Sequence, residues 1–397
     1  MNVRMIWRLS MALILCMPAC TALASDPLFQ ETEVFVGGQD GINTYRIPAV
    51  VCTRKGTVLV FAEGRKDNDQ DGSPTHLVSK RSLGNSGAWQ LRLPHSPGPA
   101  SIGRSKAHNL TWEPMQVILA SKGTEAFMNP VPIIDESTGE IFLLINRYLH
   151  FGKAEDAGRG DVQTLLLRSS DEGASWSEPI DLTPSVGRIA LGPGIGIETR
   201  HGALVAPTYA GVIFSDDHGK TWQAGGEIGG PPNEAQVAEL TDGSWLFNLR
   251  GSPNRTVFIS KDDGRTWGAP WKDPALTDSE LWGGCQASLV RYTRKDDGYT
   301  QNRLLFANPA DPKYRFDLTV RLSYDEGKTW PISKLIRKGP GAYSSLTAFP
   351  DGTIGLVYET GGSRDGIVEY DERLDFVRFN LEWLTDGKDH LTRTAGR

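Results

Sequence analysis

Four aspartates, Asp171, Asp217, Asp262 and Asp325, occupy the same place in an eight-residue phrase that recurs at Ser169 to Trp176, Ser215 to Trp222, Ser260 to Trp267 and Ser323 to Trp330. Carboxylates are common acid–base catalysts, so these are the first candidates for chemistry. Each copy has Ser first, Asp third, Gly fifth, Ser or Thr seventh and Trp eighth. Asp hydrogen-bonds its own nearby backbone and Gly tolerates positive φ, so the phrase reads as a hairpin turn with a Trp tucked beneath it. A residue that returns once per structural unit sits at equivalent places around the molecule, and its copies cannot converge on one centre. Metal chemistry fares no better. The run Asp67-Asn68-Asp69-Gln70-Asp71-Gly72 opens like a calcium loop, but its twelfth position is Val78 and no helical pattern flanks it. The histidines show no ligand spacing, and Gly192 to Gly196 opens no helix that could cradle a phosphate. No metal or cofactor is expected. Chemistry must come from residues that occur once.

The elements that must position such residues are strands. Short apolar or alternating runs cut by Gly, Asp, Asn and Pro begin at Glu33 to Gly37, Ala49 to Thr53, Thr57 to Glu63 and His76 to Ser82, and continue to Thr353 to Tyr358. No stretch holds a helical period. The repeated phrases follow one another at about 45 residues, with a longer gap before the last, and about four strands fit each unit, which is the pattern of a β-propeller. At roughly 60 residues per unit the chain predicts an all-β fold, a six-bladed β-propeller. A degenerate copy of the phrase lies at Ser82 to Trp89, and the polar stretches Pro94 to Asn109 and Gly152 to Gly160 read as surface loops.

The formal charge of −6 comes with no basic run, which argues against nucleic acid as a partner. Arg4 and Arg8 precede the apolar run Leu9 to Met17, and Ala22-Leu23-Ala24 supplies a small-x-small cleavage site. We therefore expect a signal peptide over residues 1–24, a single propeller domain over 25–397, and a secreted or periplasmic protein. The apolar run is too short to span a bilayer, so an integral membrane protein is not expected. Lipoprotein anchoring through Cys20 is the lesser alternative. After cleavage Cys52 and Cys285 would remain, and their spacing does not say whether they pair.

Among the residues that occur once is Tyr45-Arg46-Ile47-Pro48, directly before a strand. Together with the downstream Asp phrases it resembles the sialidase (neuraminidase) superfamily, whose members carry a Phe/Tyr-Arg-Ile-Pro segment followed by several such phrases. The resemblance covers essentially the whole chain after the leader. It implies Arg46 as the first of three arginines that grip a substrate carboxylate. Asn248-Leu249-Arg250 is similar to the segment carrying the second, and Tyr314-Arg315-Phe316-Asp317 to that carrying the third. Asn233 to Glu239 resembles the strand bearing the activating glutamate, which falls on Glu234. Gly341-Ala342-Tyr343-Ser344 resembles the nucleophile segment, which implies Tyr343, and Val357-Tyr358-Glu359 the glutamate that buttresses the first arginine. The acid/base aspartate of the family lies about ten residues before the basic residue matched by Arg81, which selects Asp71, with Asp69 as runner-up. Arg65 and Asn129 also sit in family-like segments and are secondary pocket candidates.

These residue types suit the chemistry that the resemblance implies. A sialoside carries a carboxylate on its anomeric carbon, and guanidinium groups, always charged, bind carboxylates bidentately. The same substrate charge repels an anionic nucleophile, whereas a neutral phenol avoids it; sialidases with a Tyr nucleophile are exceptions to the two-carboxylate rule of glycosidases. Tyr343 would need Glu234 to take its proton and cationic neighbours to favour the phenolate. Asp71 would protonate the leaving oxygen and then activate water. Taken singly, each residue has a plainer reading: a rim Arg is usually an ion pair and a buried Tyr a packed aromatic. The expected activity is that of an exo-alpha-sialidase acting, as a monomer, on sialylated glycans with retention. The alternatives are a non-catalytic sialic-acid-binding propeller, a trans-sialidase, or a glycosidase acting on another sugar acid.

Overall fold

A computed structural model describes residues 25–83, 110–149, 162–364 and 367–394. The leader with Cys20, the degenerate phrase beyond Leu83, and the two polar stretches expected as surface loops lie outside the described residues. The β-rich pattern is realised as six four-stranded antiparallel blades. Blade 1 is Thr44–Cys52, Val58–Arg65, Thr75–Ser82 and Gln116–Leu119; blade 2 is Ala126–Ile134, Ile141–Tyr148, Val162–Ser169 and Ile180–Asp181. Blade 3 is Ile197–Glu198, Leu204–Thr208, Gly211–Ser215 and Gln223–Ala224; blade 4 is Ala235–Glu239, Trp245–Leu249, Asn254–Ser260 and Trp271–Thr277.

Blades 5 and 6 share a strand. Ser288–Thr293, Arg303–Pro309 and Phe316–Ser323 make blade 5, and its outer edge is the first part of Ile332–Ala348, a strand of 17 residues. After Gly339, which turns the chain at φ 85, the rest of that strand pairs with Ile354–Thr360 as the inner edge of blade 6. Arg373–Phe379 follows, and the outer edge comes from the start of the chain, Phe29–Val36, paired from Phe29↔Phe379 to Val36↔Arg373. The ring is thereby latched by joining its two ends. Inner strands pack each on the next, and Thr44–Cys52 meets both Ala126–Ile134 and Ile332–Ala348, which closes the circle. Apolar clusters fill the spaces between blades, such as Val131, Phe142, Leu166, Leu204 and Trp222 between blades 2 and 3. No helix among the described residues is long and apolar enough to cross a membrane.

The repeated phrase forms the turn after the third strand of blades 2 to 5. In the second copy Asp217 Oδ1 accepts from Ser215 Oγ at 2.8 Å and Thr221 N at 2.9 Å, and Oδ2 accepts from the Thr221 hydroxyl at 2.7 Å. The other three copies repeat these bonds. Position five must be glycine for two reasons. Gly219 has φ 73, and a Cβ there would lie 2.1 Å from a ring carbon of Phe142 in the preceding blade. In the first copy Gly173 presses in the same way on Leu59 of blade 1. The Trp of each phrase meets a Phe, with ring centroids 5.7 Å apart for Phe61 and Trp176 and 6.4 Å for Phe142 and Trp222. The phrase is a staple between blades.

Candidate active site

In a four-strand meander, the start of strand one, the end of strand two and the start of strand three share a rim, and the turn between strands three and four lies at the opposite rim. The single-copy residues all fall on the first of these. Arg46, Asn129, Glu234 and Tyr343 stand at inner-strand starts, Arg65, Arg250 and Glu359 at second-strand ends, Asp71 in the following connection, and Arg315 just before a third strand.

The inner strands do not start regularly. Register breaks between Arg46 and Ala49, where Ile47 has φ 55, and a β-branched residue at positive φ is a true conformational outlier. Such a bulge re-aims the side chains beside it. The N–H it releases is used: Ile47 N donates to Glu359 Oε1 at 2.8 Å. Glu359, fully buried, also accepts from Arg46 Nε at 3.0 Å and Nη2 at 3.1 Å and from Tyr343 N at 3.2 Å. Blade 2 repeats the device. Asn129, at φ 60 before Pro130, donates its N–H at 3.0 Å to the buried Glu63, whose other oxygen accepts from Arg65 at 2.9 and 3.2 Å. Glu63 was not singled out from the sequence, although it precedes Arg65 by two residues on the same strand.

Around Tyr343 the charges converge. Its hydroxyl donates to Glu234 Oε1, and Arg250 Nη1 reaches that hydroxyl at 3.1 Å and Glu234 Oε2 at 2.6 Å. The Arg46 and Arg315 guanidinium carbons lie 5.3 and 5.5 Å from the Tyr343 ring centre. Both also lie 5.4 Å from the ring of Tyr370, and Arg315 lies 4.8 Å from that of Trp282. Burial opposes the charge on Arg46 and Arg250, but Glu359 and Glu234 respectively outweigh it and hold both guanidinium groups firmly protonated. Arg315 is 5% exposed, makes one hydrogen bond, to Gly284 O at 3.1 Å, and has no carboxylate partner among the described residues. Its Nε, like that of Arg250, has no acceptor among the described residues.

Burial, followed by the Glu234 carboxylate, pushes the Tyr343 phenol well above its ordinary range, while the cationic neighbours Arg250 and Arg315 pull the other way, toward the phenolate. The resting nucleophile candidate is a neutral phenol with its proton aimed at Glu234. Cys285, buried beside this cluster, is pushed up to about 12 by burial and stays a neutral thiol. Cys52 and Cys285 are both free.

Asp71 belongs to a neighbouring group and does not touch Tyr343. Its Oδ1 is 2.7 Å from Arg65 Nη2, and its side chain is 61% exposed, so the carboxylate faces solvent while one oxygen is held. Arg65 reaches Asp69 only through the backbone carbonyl. The guanidinium thus sits inside the loop that reads like a calcium site. Tyr209 neighbours both groups: burial, followed by the Glu234 carboxylate, pushes its phenol well above the ordinary range, and the Asn129 side chain opposes that shift. Tyr209, Trp282, Tyr370 and Asp371 were missed by the sequence reading because they lie in irregular connections without a motif. Burial raises the Asp371 pKa although Arg46 lies nearby, which favours its neutral form. Among the described residues no group of three or more His, Cys, Asp or Glu is arranged to hold a metal ion.

The profile of the BNR repeat-like domain family matches residues 100–356. The chain is 32% identical to a sialidase of Micromonospora viridifaciens, over 90% of this chain and 55% of that protein. It is 30% identical to an exo-alpha-sialidase of Aspergillus fumigatus, over 88% of this chain and 87% of that protein. It thus spans little more than half of the bacterial relative and most of the fungal one. Among solved structures, a Hadza microbial sialidase superposes with a TM-score of 0.70 at 27% identity, covering 89% of this chain and 69% of that one. The Ruminococcus gnavus intramolecular trans-sialidase shares the fold with a TM-score of 0.69 at 19% identity, over 89% of this chain and 98% of that one. Repeats, rim and relatives agree, and the chain belongs to the sialidase superfamily.

Proposed function

We propose that the protein is an exo-alpha-sialidase that hydrolyses terminal alpha-linked sialic acids from glycans with retention at the anomeric carbon. The observation that carries this reading is the charge balance around Tyr343. Arg46 is matched by Glu359 and Arg250 by Glu234, whereas Arg315 is buried beside them with no anion of its own among the described residues. A buried unpaired charge is costly, so the cluster is built to receive one more carboxylate. A sialoside supplies it on the carbon that reacts.

In the first step the Tyr343 oxygen attacks the anomeric carbon while its proton passes to Glu234. The glycosidic bond breaks, and Asp71 gives its proton to the leaving oxygen. In the second step Asp71 removes a proton from water, the water oxygen displaces Tyr343, and Glu234 returns the proton to the phenolate. Substrate entry alters the protonation problem. The resting phenol is held neutral by burial and Glu234, and the positive charge of the oxocarbenium-like transition state favours the phenolate only as the bond breaks. Binding to Arg315 and proton transfer to Glu234 therefore act together.

Release of a fluorogenic phenol from a sialoside by the purified protein tests the reading. Turnover by wild type that disappears in Tyr343→Phe is expected, and a folded wild type with no release would sink it. Product analysis with an added acceptor glycan separates hydrolysis, which gives free sialic acid, from transfer, which gives a new sialoside.

A further inference from the structure

Beneath the arginine cluster lies an ion pair that touches none of the proposed reacting groups. The Arg255 and Asp278 side chains are both fully buried, with Nη1 and Oδ2 2.9 Å apart. Asp278 Oδ1 accepts from Ser279 N at 3.0 Å and from Cys285 N at 2.8 Å, so a single carboxylate oxygen pinches together the two ends of the loop 279–285. Arg255 Nη1 also holds the Cys285 carbonyl at 2.5 Å, and its Nε donates to Asn248 Oδ1 at 2.7 Å. Asn248 lies two residues before Arg250 on the same strand end.

The pinched loop presents two carbonyls to the site. Trp282 O accepts from Arg250 Nη2 at 2.7 Å, and Gly284 O accepts from Arg315 Nη2 at 3.1 Å. The loop is contorted to do so. Trp282 adopts φ 53 and Gly284 φ 98, and a Cβ on Gly284 would lie 2.8 Å from Asp278 Oδ2. Backbone in such sparsely populated regions persists only where the surroundings over-determine it, and here the surroundings are the buried pair. Among the described residues the Arg315 side chain has no other hydrogen bond to fix its orientation.

We propose that Arg255 and Asp278 are positioning residues for substrate-carboxylate recognition: by clamping the loop 279–285 they aim Arg250 and Arg315 through its carbonyls. This rests on the sialidase reading above. The protein itself supplies a control in Arg303, whose buried fork holds Asp389 at 2.6 and 2.8 Å away from the arginine cluster.

The test measures KM and kcat on a fluorogenic sialoside, the affinity of the 2,3-unsaturated sialic acid analogue, and thermal unfolding, for wild type, Asp278→Asn and Asp389→Asn. Both variants should lose stability, but only Asp278→Asn should weaken analogue binding and raise KM, by about 10-fold or more, with a smaller change in kcat. Equal KM and affinity in folded Asp278→Asn and wild type would overturn the proposal, as would the same KM rise in Asp389→Asn. Should Asp278→Asn not fold, Gly284→Ala displaces the loop from its other side and should raise KM likewise; a folded Gly284→Ala with wild-type KM and affinity would also overturn it. A wild type that neither turns over the sialoside nor binds the analogue would instead remove the sialidase reading beneath it.

Discussion

The two rims of the propeller use the same residue types in opposite ways. At the rim of repeated turns each Asp closes its hydrogen bonds within five residues of chain, as Asp217 does with Ser215 and Thr221. At the other rim the group around Tyr343 draws partners from far along the chain: Arg46 meets Glu359 across 313 residues, and Tyr343 meets Glu234 across 109. Local closure gives a part that works identically in blades 2 to 5, and it leaves nothing over for a ligand. Long-range closure assembles groups that no single blade could hold, and one buried guanidinium there, Arg315, ends without an anion among the described residues. Repetition therefore marks the scaffold, and residues that break the repetition mark the site.

The division is open to attack, most strongly through Tyr343. Tyr343→Phe should lower kcat by about 10⁴-fold or more with little change in unfolding temperature, since only the hydroxyl is lost. Asp71→Asn should lower kcat by about 10²–10⁴-fold, and less for phenol leaving groups, which need no proton, than for natural glycans. Steady-state kinetics on both substrate types checks this, and an equal loss on both would remove Asp71 from the acid role. Arg315→Lys keeps the charge but loses the planar fork, and should weaken binding of a sialic acid analogue by about 1.5–3 kcal/mol, read by calorimetry.

At the opposite rim the expected effect is smaller and of another kind. Asp217→Ala should cost about 1–2 kcal/mol of stability in denaturant unfolding while kcat of the folded enzyme stays unchanged. Its pH dependence follows from the same bonds. The Thr221 hydroxyl and amide, together with Ser215, hold Asp217 down from the ordinary 3.8 to about 2. The stability it contributes is complete above about pH 4 and is lost as the pH falls toward 2. Wild type should therefore lose more stability than Asp217→Ala across that window. A fall in kcat for folded Asp217→Ala would break the comparison outright.

Much of the architecture was legible because the phrase is local: its turn, its Trp and its period can be read without knowing what lies opposite. The site was legible where it follows short motifs, as at Arg46 and in the segments of Arg250 and Arg315. What could not be read was tertiary. Ile332–Ala348 runs through Gly339-Pro340-Gly341, which reads as a break yet carries one strand from blade 5 into blade 6. The pairing of Phe29–Val36 with Arg373–Phe379 joins segments at the two ends of the described chain. Tyr370 and Trp282, which cover two of the arginines, lie on connections whose course depends on packing. The neutral resting state of Tyr343 depends on burial, which no motif encodes.

In the proposed mechanism Tyr343, at the rim of single-copy residues, forms the covalent bond to the sugar. A fluorinated sialosyl fluoride, whose glycosyl–enzyme intermediate turns over slowly, can trap that bond for peptide mass spectrometry. One sialosyl adduct is expected, on the peptide bearing Tyr343, absent when Tyr343→Phe is treated in the same way. Turnover of sialosides by wild type with an adduct on another residue, or with inversion at the anomeric carbon, would contradict it.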